Sequence, residues 1–449
     1  MTASAVPPAH RPRATQTVAF TFGVLTVAIG TAAFATGFRS TLGLVTRSMS
    51  ASGDIVSAMR ALPWYGRLLL PTFGGLLAGI LGLLVQRAPE GHGVGNVMEA
   101  VVLGRVHLSM RVTLMKSLAS WFAIVTGGSL GREGPLIQFG GAVGNFVGQR
   151  LGLTLDRTRL LIACGTAAGF SAAYNTPFAA VLFVLEVVTG IVVLDAVLPA
   201  LVSTVLAVVI TRAVFGQGPV YGQRNFYLAS TTELIAFGVL GIIAAAGAQL
   251  FMRLLSWAEH CFRRPNLPLP FRPALGGCLA GLAVTCLPDV AGNGYEPLNR
   301  LLDGQLSVGF VCWLLLGKYV ATTASVGSGS PGGVFTPTLL LGGSLAYLYA
   351  TALSALGITT GAPGGYALVG MAAATGATTH APLMAAVMVF ELSGDYSIVL
   401  PLILATAVAT TVSRWVARDS IYSADLQQRG IRWEVTLEGR RLVDPDARH

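Results

Sequence analysis

The sequence predicts an all-α, polytopic membrane protein built from two helical repeats. Of its 449 residues, 53% are hydrophobic and only 11% are charged, whereas soluble domains carry about 25% charged residues. Long charge-free runs recur along the chain, and about 20 apolar residues span a bilayer. The second half of the chain also repeats motifs of the first half at nearly constant spacing. This composition excludes an ordinary soluble domain.

The charge-free runs place the membrane-spanning helices. The first run follows the basic segment "HRPRATQ" and is too long for the apolar core of a signal peptide. The last run is much too long for one span, so it must fold back more than once at its Gly and Pro clusters "GSGSPGG", "GAPGG" and "HAP". Non-helical backbone at membrane depth is stable only where it is buried in protein or lines a watery cavity. The runs are Ala14 to Phe38, Leu68 to Gln86, Leu160 to Leu185, Leu234 to Met252 and Tyr319 to Phe390.

An internal repeat relates "GREGPLIQFGG" to "GGVFTPTLLLGG". Transporters are often built from such repeated halves. The two lysines of the chain, Lys116 and Lys318, fall at the same offset, which chance matching does not readily explain. An offset of 202 residues pairs Gly131 with Gly333, Pro135 with Pro337, Gly140 with Gly342 and Gly141 with Gly343, and an offset of 205 pairs Pro177 with Pro382 and Glu186 with Glu391.

The repeat sets the predicted organisation of the chain. Residues 1–16 form a basic N-terminal tail, 17–220 the first transmembrane repeat, 221–425 the second, and 426–449 a short C-terminal tail. Hydropathy does not give the relative orientation of the two halves. If they are inverted, the matching Gly/Pro breaks meet near the midplane from opposite sides.

Each glycine-rich break leads into an apolar helix with Pro in its first turn, where the free N–H groups and the helix dipole attract anions. Glu133 stands at one of these helix starts. A carboxylate there can occupy the position of an anion, and protonation or an incoming ion would release it. We therefore predict that Glu133 is a gate. The alternative is a glutamate paired with Arg132 on a solvated loop.

Lys116 and Lys318 each stand about four helical turns before a break. Lysines inside a membrane are costly and usually face a pathway or a partner. The alternative is that their long side chains reach the membrane interface.

These motifs resemble the CLC family of chloride channels and proton-coupled anion antiporters. "GREGP", Gly131 to Pro135, and "GGVFTP", Gly332 to Pro337, resemble two of the filter motifs of that family. "GHGVGN", Gly91 to Asn96, resembles a variant of the third, and "IYSADL", Ile421 to Leu426, resembles the segment that supplies a filter tyrosine. The resemblance runs in order from about residue 20 to 430.

The resemblance implies a homodimer with one pore in each subunit, two inverted repeats with broken and re-entrant helices, and cytoplasmic termini in the cell (inner) membrane. It implies that Glu133 is the gate. Without the family, Tyr422 would be assigned to the interfacial belt of aromatic residues. The anion-binding positions implied by the resemblance are His92, Gly93, Arg132, Gly134, Val334, Phe335 and Tyr422.

Three features depart from the family pattern. His92 replaces the usual serine and Gly95 the usual proline, so the anion preference is open, and an imidazole titrates near neutral pH. Val187 stands where antiporters have an inner proton-transfer glutamate, directly after Glu186. The stretch after Tyr422 is too short for paired cytoplasmic CBS domains, which is typical of prokaryotic members.

We therefore expect chloride or a similar small anion to cross a lipid bilayer by passive, channel-like conduction gated by Glu133. The alternative is proton-coupled exchange in which Glu186 or water replaces the missing acid. We expect no enzymatic activity or catalytic residue, no metal or cofactor, and no nucleotide or nucleic-acid partner.

A remote alternative is an intramembrane serine hydrolase. Gly127, Ser129 and Gly131 match the G-x-S-x-G pattern, and His380 lies at another break. That nucleophile requires a preceding strand, whereas "LASWFAIVTGG" is an apolar run that predicts a helix. The repeat also pairs His380 with Asn175, which indicates a shared structural corner.

Overall fold

The computed structural model of the chain describes residues 13–85, 93–102, 108–218, 220–222, 224, 226–263, 267–428, 433–436 and 439–442. These residues form a bundle of α-helices, which confirms the predicted all-α class, and one small hairpin that was not predicted. Within this part of the chain, seven helices are long and apolar enough to cross a membrane. They are Thr15–Met49, Trp64–Leu83, Leu194–Phe215, Glu233–Arg263, Val308–Gly327, Phe335–Ala355 and Val399–Ala424.

The first half contains nine helices among the described residues, and a π-helical segment, Phe183–Thr189, continues the eighth. They are α1 (Arg13–Met49), α2 (Ile55–Ala61), α3 (Trp64–Leu83), α4 (Gly93–Val102), α5 (Met110–Val125), α6 (Glu133–Arg150), α7 (Leu155–Tyr174), α8 (Pro177–Leu182) and α9 (Leu194–Phe215).

The second half contains nine further helices in the described part of the chain, and a 3₁₀ turn, Pro288–Val290, precedes the third of them. They are α10 (Glu233–Arg263), α11 (Phe271–Cys286), α12 (Tyr295–Leu302), α13 (Val308–Gly327), α14 (Phe335–Ala355), α15 (Pro363–Thr379), α16 (Pro382–Ser393), α17 (Val399–Val416) and α18 (Ile421–Gln428).

A two-stranded hairpin lies within the predicted C-terminal tail. Strands β1 (Trp433–Thr436) and β2 (Gly439–Leu442) pair antiparallel, with Trp433 opposite Leu442. The sequence pattern does not predict this hairpin, because a four-residue strand is too short to be distinguished from a polar tail.

The long charge-free run breaks where its Gly and Pro clusters predicted. Helix α13 ends at Gly327 and α14 begins at Phe335, with "GSGSPGG" between them. Helix α15 begins at Pro363, within "GAPGG", and α16 at Pro382, within "HAP". Proline favours these starts because a first helical turn has no partner for its N–H groups. Helix α16, at 12 residues, rises about 18 Å, so it does not cross the bilayer core of about 30 Å.

Helices α3 and α11 show the symmetry of the two halves where they cross. A Cβ atom on Gly75 would lie 2.1 Å from the carbonyl oxygen of Pro273, and one on Gly277 would lie 2.2 Å from that of Pro71. The offset of 202 pairs Gly75 with Gly277 and Pro71 with Pro273. Each half therefore makes the same contact to the other, as elements related by a local twofold axis do.

The same close packing occurs inside each half. Gly140 of α6 and Gly165 of α7 touch so tightly that a Cβ on either would lie within about 2 Å of the other's carbonyl oxygen. Gly342 of α14 and Gly370 of α15 make the equivalent contact in the second half. Small residues let membrane helices approach at backbone distance. These crossings fix α6 and α14, the two helices that follow the glycine-rich breaks.

Candidate functional site

The two glycine-rich breaks meet each other through their backbones. The amide of Gly131 donates to the carbonyl of Gly333, and the amide of Gly333 donates to the carbonyl of Gly131, both at 2.7 Å. This antiparallel bridge joins two positions that the repeat aligns. It brings the start of α6, at Glu133, beside the start of α14, at Phe335.

The Glu133 carboxylate lies on the start of α14. Its Oε1 accepts from the amide of Phe335 at 2.8 Å and from that of Thr336 at 3.3 Å, and its Oε2 accepts from the Thr336 hydroxyl at 3.2 Å. These amides belong to the first turn of a helix and have no partner within it. The carboxylate therefore occupies a position that favours negative charge.

The alternative of a solvated ion pair with Arg132 is wrong. Glu133 is 1% exposed, and none of the ion pairs between described residues joins it to Arg132. Arg132 instead lines a neighbouring cavity of about 380 Å³.

Two residues that sequence analysis did not single out support the carboxylate. The Thr336 hydroxyl gives its proton to Glu133, so the Tyr174 hydroxyl, 2.8 Å from the Thr336 oxygen, donates to it. Both side chains are buried. Thr336 lies inside the motif "GGVFTP". A hydroxyl residue in a first helical turn could have identified it from the sequence. Tyr174 precedes the Asn175 break, and nothing in the sequence connects it to α14.

A chain of aromatic rings links α14 to α18. Phe335 packs edge-on against Phe170 at 5.5 Å between ring centroids, Phe170 stacks on Phe183 at 4.6 Å, and Phe183 meets Tyr422 edge-on at 6.3 Å. Tyr422 is 5% exposed, so it is not a tyrosine of the interfacial belt.

Backbone from α4 also reaches this region. A Cβ atom on Gly93 would lie 2.9 Å from the carbonyl oxygen of Gly134, and one on Gly134 would lie 3.5 Å from the backbone of Gly332. Val334 is buried and directly precedes α14. Gly93, Gly134 and Val334 therefore lie around the same helix starts. His92 lies outside the described residues, so its role stays a prediction.

Val187 and Glu186 occupy different environments. Val187 is buried among apolar residues. The Glu186 carboxylate accepts from the amides of Leu383 at 3.3 Å and Met384 at 2.7 Å, at the start of α16. Glu391, its repeat counterpart, accepts from Phe178 at 3.1 Å and Ala179 at 2.8 Å, at the start of α8. Each glutamate thus caps a helix of the other half.

The lysines are not equally placed. Lys318 is fully buried, and its Nζ donates to the carbonyls of Val290 at 3.1 Å and Gly292 at 2.8 Å. An interfacial position is therefore wrong for Lys318. Lys116 is half-buried and also interacts with other residues of the protein.

The geometry does not support a serine hydrolase. Ser129 is fully buried, and its hydroxyl bonds to Thr322 at 2.8 Å. His380 ends α15 in a left-handed conformation, φ 59°, as Asn175 ends α7 with φ 61°. The segment before Ser129 is the helix α5, not a strand. His380 is a structural corner shared by both halves.

Comparison with known proteins gives consistent matches. Residues 74–414 match the family model described as voltage gated chloride channel. A ClcB-like chloride channel protein of Ralstonia nicotianae is 40% identical over 84% of this chain and 89% of its own. A voltage-gated ClC-type chloride channel, ClcB, of Escherichia coli O139:H28 (strain E24377A / ETEC) is 34% identical over 87% of this chain and 95% of its own.

Solved structures share the fold. A slow cyanobacterial Cl⁻/H⁺ antiporter matches with a TM-score of 0.82 and 24% identity, over 94% of this chain and 99% of its own. A CLC-type fluoride/proton antiporter matches with a TM-score of 0.76 and 23% identity, over 91% of this chain and 98% of its own. At these identities the likeness shows the fold alone.

Proposed function

The chain belongs to the CLC family of voltage-gated chloride channels, and from this we propose that it carries chloride across a membrane along a pathway that Glu133 closes. One observation carries the proposal: a buried carboxylate occupies the unpaired amides at the start of α14. Such amides hold a small anion without a formal positive charge on it. A site of this kind binds an ion well enough to admit it and weakly enough to release it.

Chloride would replace the carboxylate on these amides. We assign its binding to the backbone of Gly93, Gly134, Val334 and Phe335, with the Tyr422 hydroxyl and His92 completing the pathway and Arg132 raising the local positive potential. The buried surroundings support this assignment, because the field of helix-start amides is strong where water is excluded. Thr336 and Tyr174 hold Glu133 in the closed position.

Two mechanisms fit a carboxylate gate. In proton-coupled exchange, a proton neutralises Glu133 each time it leaves α14, so proton and chloride movement are linked. The solved structures of similar fold are antiporters by their titles, which favours exchange over the passive conduction expected from the sequence without deciding between them. Passive conduction is supported by the apolar Val187 and by the helix-capping position of Glu186.

Flux from chloride-loaded liposomes tests both chloride transport and its coupling to proton movement. Purified protein should release chloride, recorded with a chloride electrode, while a pH electrode records protons. Proton uptake in fixed ratio to chloride efflux means exchange, and chloride efflux without it means conduction. Vesicles that hold their chloride would overturn the proposal. Repeating the measurement with nitrate and fluoride determines the anion preference.

We also propose a homodimer in the inner membrane with both termini cytoplasmic. The family relationship supports this arrangement, and the exposed apolar side chains of α9 offer a surface for a second subunit or for lipid, among them Leu194, Leu198, Val202, Val205 and Val209. Mass measurement in detergent tests the dimer. A protease-sensitive tag at either end, tested in inverted and right-side-out vesicles, gives the orientation.

A further inference from the structure

A polar cavity of about 380 Å³ lies beside the gate. It is lined by Arg132, the residue directly before Glu133, and by Arg39 of α1 and Arg212 of α9. Its volume exceeds that of one chloride ion several-fold. An anion approaching from this side therefore meets arginines before it meets the Glu133 carboxylate.

Arg39 is held in place without a carboxylate partner. Its guanidinium stacks over the Phe215 ring at 4.0 Å, and its Nη1 donates weakly to the carbonyl of Ala172 at 3.4 Å. Its Nε is buried and has no hydrogen-bond partner among the described residues. No ion pair between described residues includes Arg39 or Arg132. Protein groups therefore satisfy only part of the donor capacity of Arg39.

Arg39 and Arg132 line the same cavity, so their like charges share its space. An arginine guanidinium carries a positive charge at neutral pH, so the space that the two groups share has a positive potential. Bringing like charges together costs free energy, which an anion between them would offset. Guanidinium N–H groups bind halides and planar oxyanions alike.

Arginines outnumber carboxylates in the cavity lining, with Arg39, Arg132 and Arg212 against Asp54 and Glu296. The Asp54 carboxylate caps α2 by accepting from the amide of Ser57 at 2.7 Å. Glu296 forms none of the ion pairs between described residues. Arg212 is exposed at the rim, where its Nε donates to Asn175 Oδ1 at 2.7 Å.

We propose that this cavity is a second anion site, in which Arg39 and Arg132 hold a small monovalent inorganic anion before it reaches the position of the Glu133 carboxylate. The site extends the proposed transport function and rests on it. Its role is to load the pathway from the Arg132 side. Both arginines are partly exposed, which weakens their hold on an anion and favours the rapid exchange that flux requires.

Bromide crystallography and flux measurements test the site together. Crystals of the full chain in sodium bromide should show an anomalous peak between the Arg39 and Arg132 guanidinium groups, and Arg39→Gln should lose it. The same variant should raise the half-saturating chloride concentration roughly tenfold, the effect of losing one charged hydrogen bond. Maximal flux should persist, because Glu133 and α14 are untouched.

Arg157→Gln is the matched control. Arg157 is also half-buried and also stacks on an aromatic ring, Phe20 at 5.7 Å, but it does not line the cavity. The half-saturating chloride concentration of Arg157→Gln should match that of the wild type. Arg39→Lys keeps the charge and should recover most of the affinity, which separates loss of the site from loss of folding.

Each outcome is decisive. No bromide peak in wild-type crystals, or a peak that survives Arg39→Gln, would overturn the proposal. A peak with unchanged half-saturating chloride in Arg39→Gln would indicate an adventitious ion only and would also overturn it. If wild-type vesicles carry no chloride, the transport function fails, whereas the bromide peak reports on the site independently.

Discussion

Gly131 and Gly333 exchange backbone hydrogen bonds with each other, although 202 residues separate them in the chain. They are the same position in the two repeats, so the local twofold axis passes between them. The axis relates the backbones of the two repeats, but the side chains at equivalent positions differ. The first repeat places Glu133 two residues after the bridge, whereas the second places Phe335 there, and the Phe335 amide donates a hydrogen bond to the Glu133 carboxylate.

Neutralising the gate should remove its dependence on protons. Protonation removes the charge that the amides of α14 hold, so wild-type chloride flux should rise as pH falls. Glu133→Gln has no charge at any pH, and its flux should be high and nearly independent of pH. Electrode recordings from liposomes between pH 4.5 and pH 7.5 measure both profiles. A Gln variant with the wild-type profile would refute the gate.

Adding a methyl group at the bridge should displace the carboxylate. A Cβ atom on Gly333 would lie 2.1 Å from Glu133 Oε1, and the end of a flexible side chain moves more readily than backbone. Gly333→Ala should therefore raise chloride flux severalfold at neutral pH. Gly238→Ala on α10, where a Cβ atom meets no atom within 4 Å, is the control. Wild-type flux from a folded Gly333→Ala protein would contradict the close contact.

Removing the Thr336 hydroxyl should loosen the gate. Thr336→Val deletes one bond to Glu133 and leaves the Tyr174 hydroxyl without its partner. A hydrogen bond to a charged group corresponds to about a tenfold change in equilibrium, so flux at neutral pH should rise by up to that factor. Thr338→Val is the control, since that hydroxyl donates to the carbonyl of Val334, the residue directly before α14, at 2.8 Å and not to Glu133. Equal flux from both variants would exclude the support proposed for Thr336.

Variants of Glu186 and Glu391 test whether Glu186 replaces the inner proton-transfer glutamate. Each carboxylate caps a helix of the other half, so Glu186→Gln and Glu391→Gln should destabilise the protein equally, by about 1 kcal/mol. Thermal unfolding in detergent measures this loss. If Glu186 only caps, both variants keep the wild-type ratio of protons to chloride. A ratio that falls in Glu186→Gln alone would make Glu186 the replacement for the acid missing at Val187.

Asp289 joins α2 to the second half of the chain. This buried carboxylate accepts from Arg60 at 2.6 Å and from Arg300 at 2.8 Å. Both arginines are partly exposed, so the pairs are worth less than fully buried ones. Asp289→Asn should cost roughly 1–2 kcal/mol, seen as a lower thermal unfolding temperature, with the flux ratio unchanged. Unaltered unfolding would show that water replaces the pairs at no cost.

Several features of the site were predictable because they are local. A proline in a first helical turn and glycines before it mark a helix start wherever they occur, so the starts of α14 and α16 were readable. The equal offsets made Glu133 stand out as a carboxylate present in one copy only. Thr336 lay within a quoted motif, yet its bond to Glu133 depends on a rotamer that the motif does not specify.

The amino-acid sequence by itself determined the membrane-spanning composition, the two repeats, the breaks and the presence of one glutamate at a helix start, because charge, apolar length and helix-start chemistry act over a few neighbouring residues. Only the tertiary structure decided what that glutamate faces. It also decided that Glu186 caps α16, that Tyr174 supports Thr336, and that Arg39 and Arg132 line one cavity. These contacts join residues on different helices, and the crossings at Gly75, Gly140 and their counterparts set those distances.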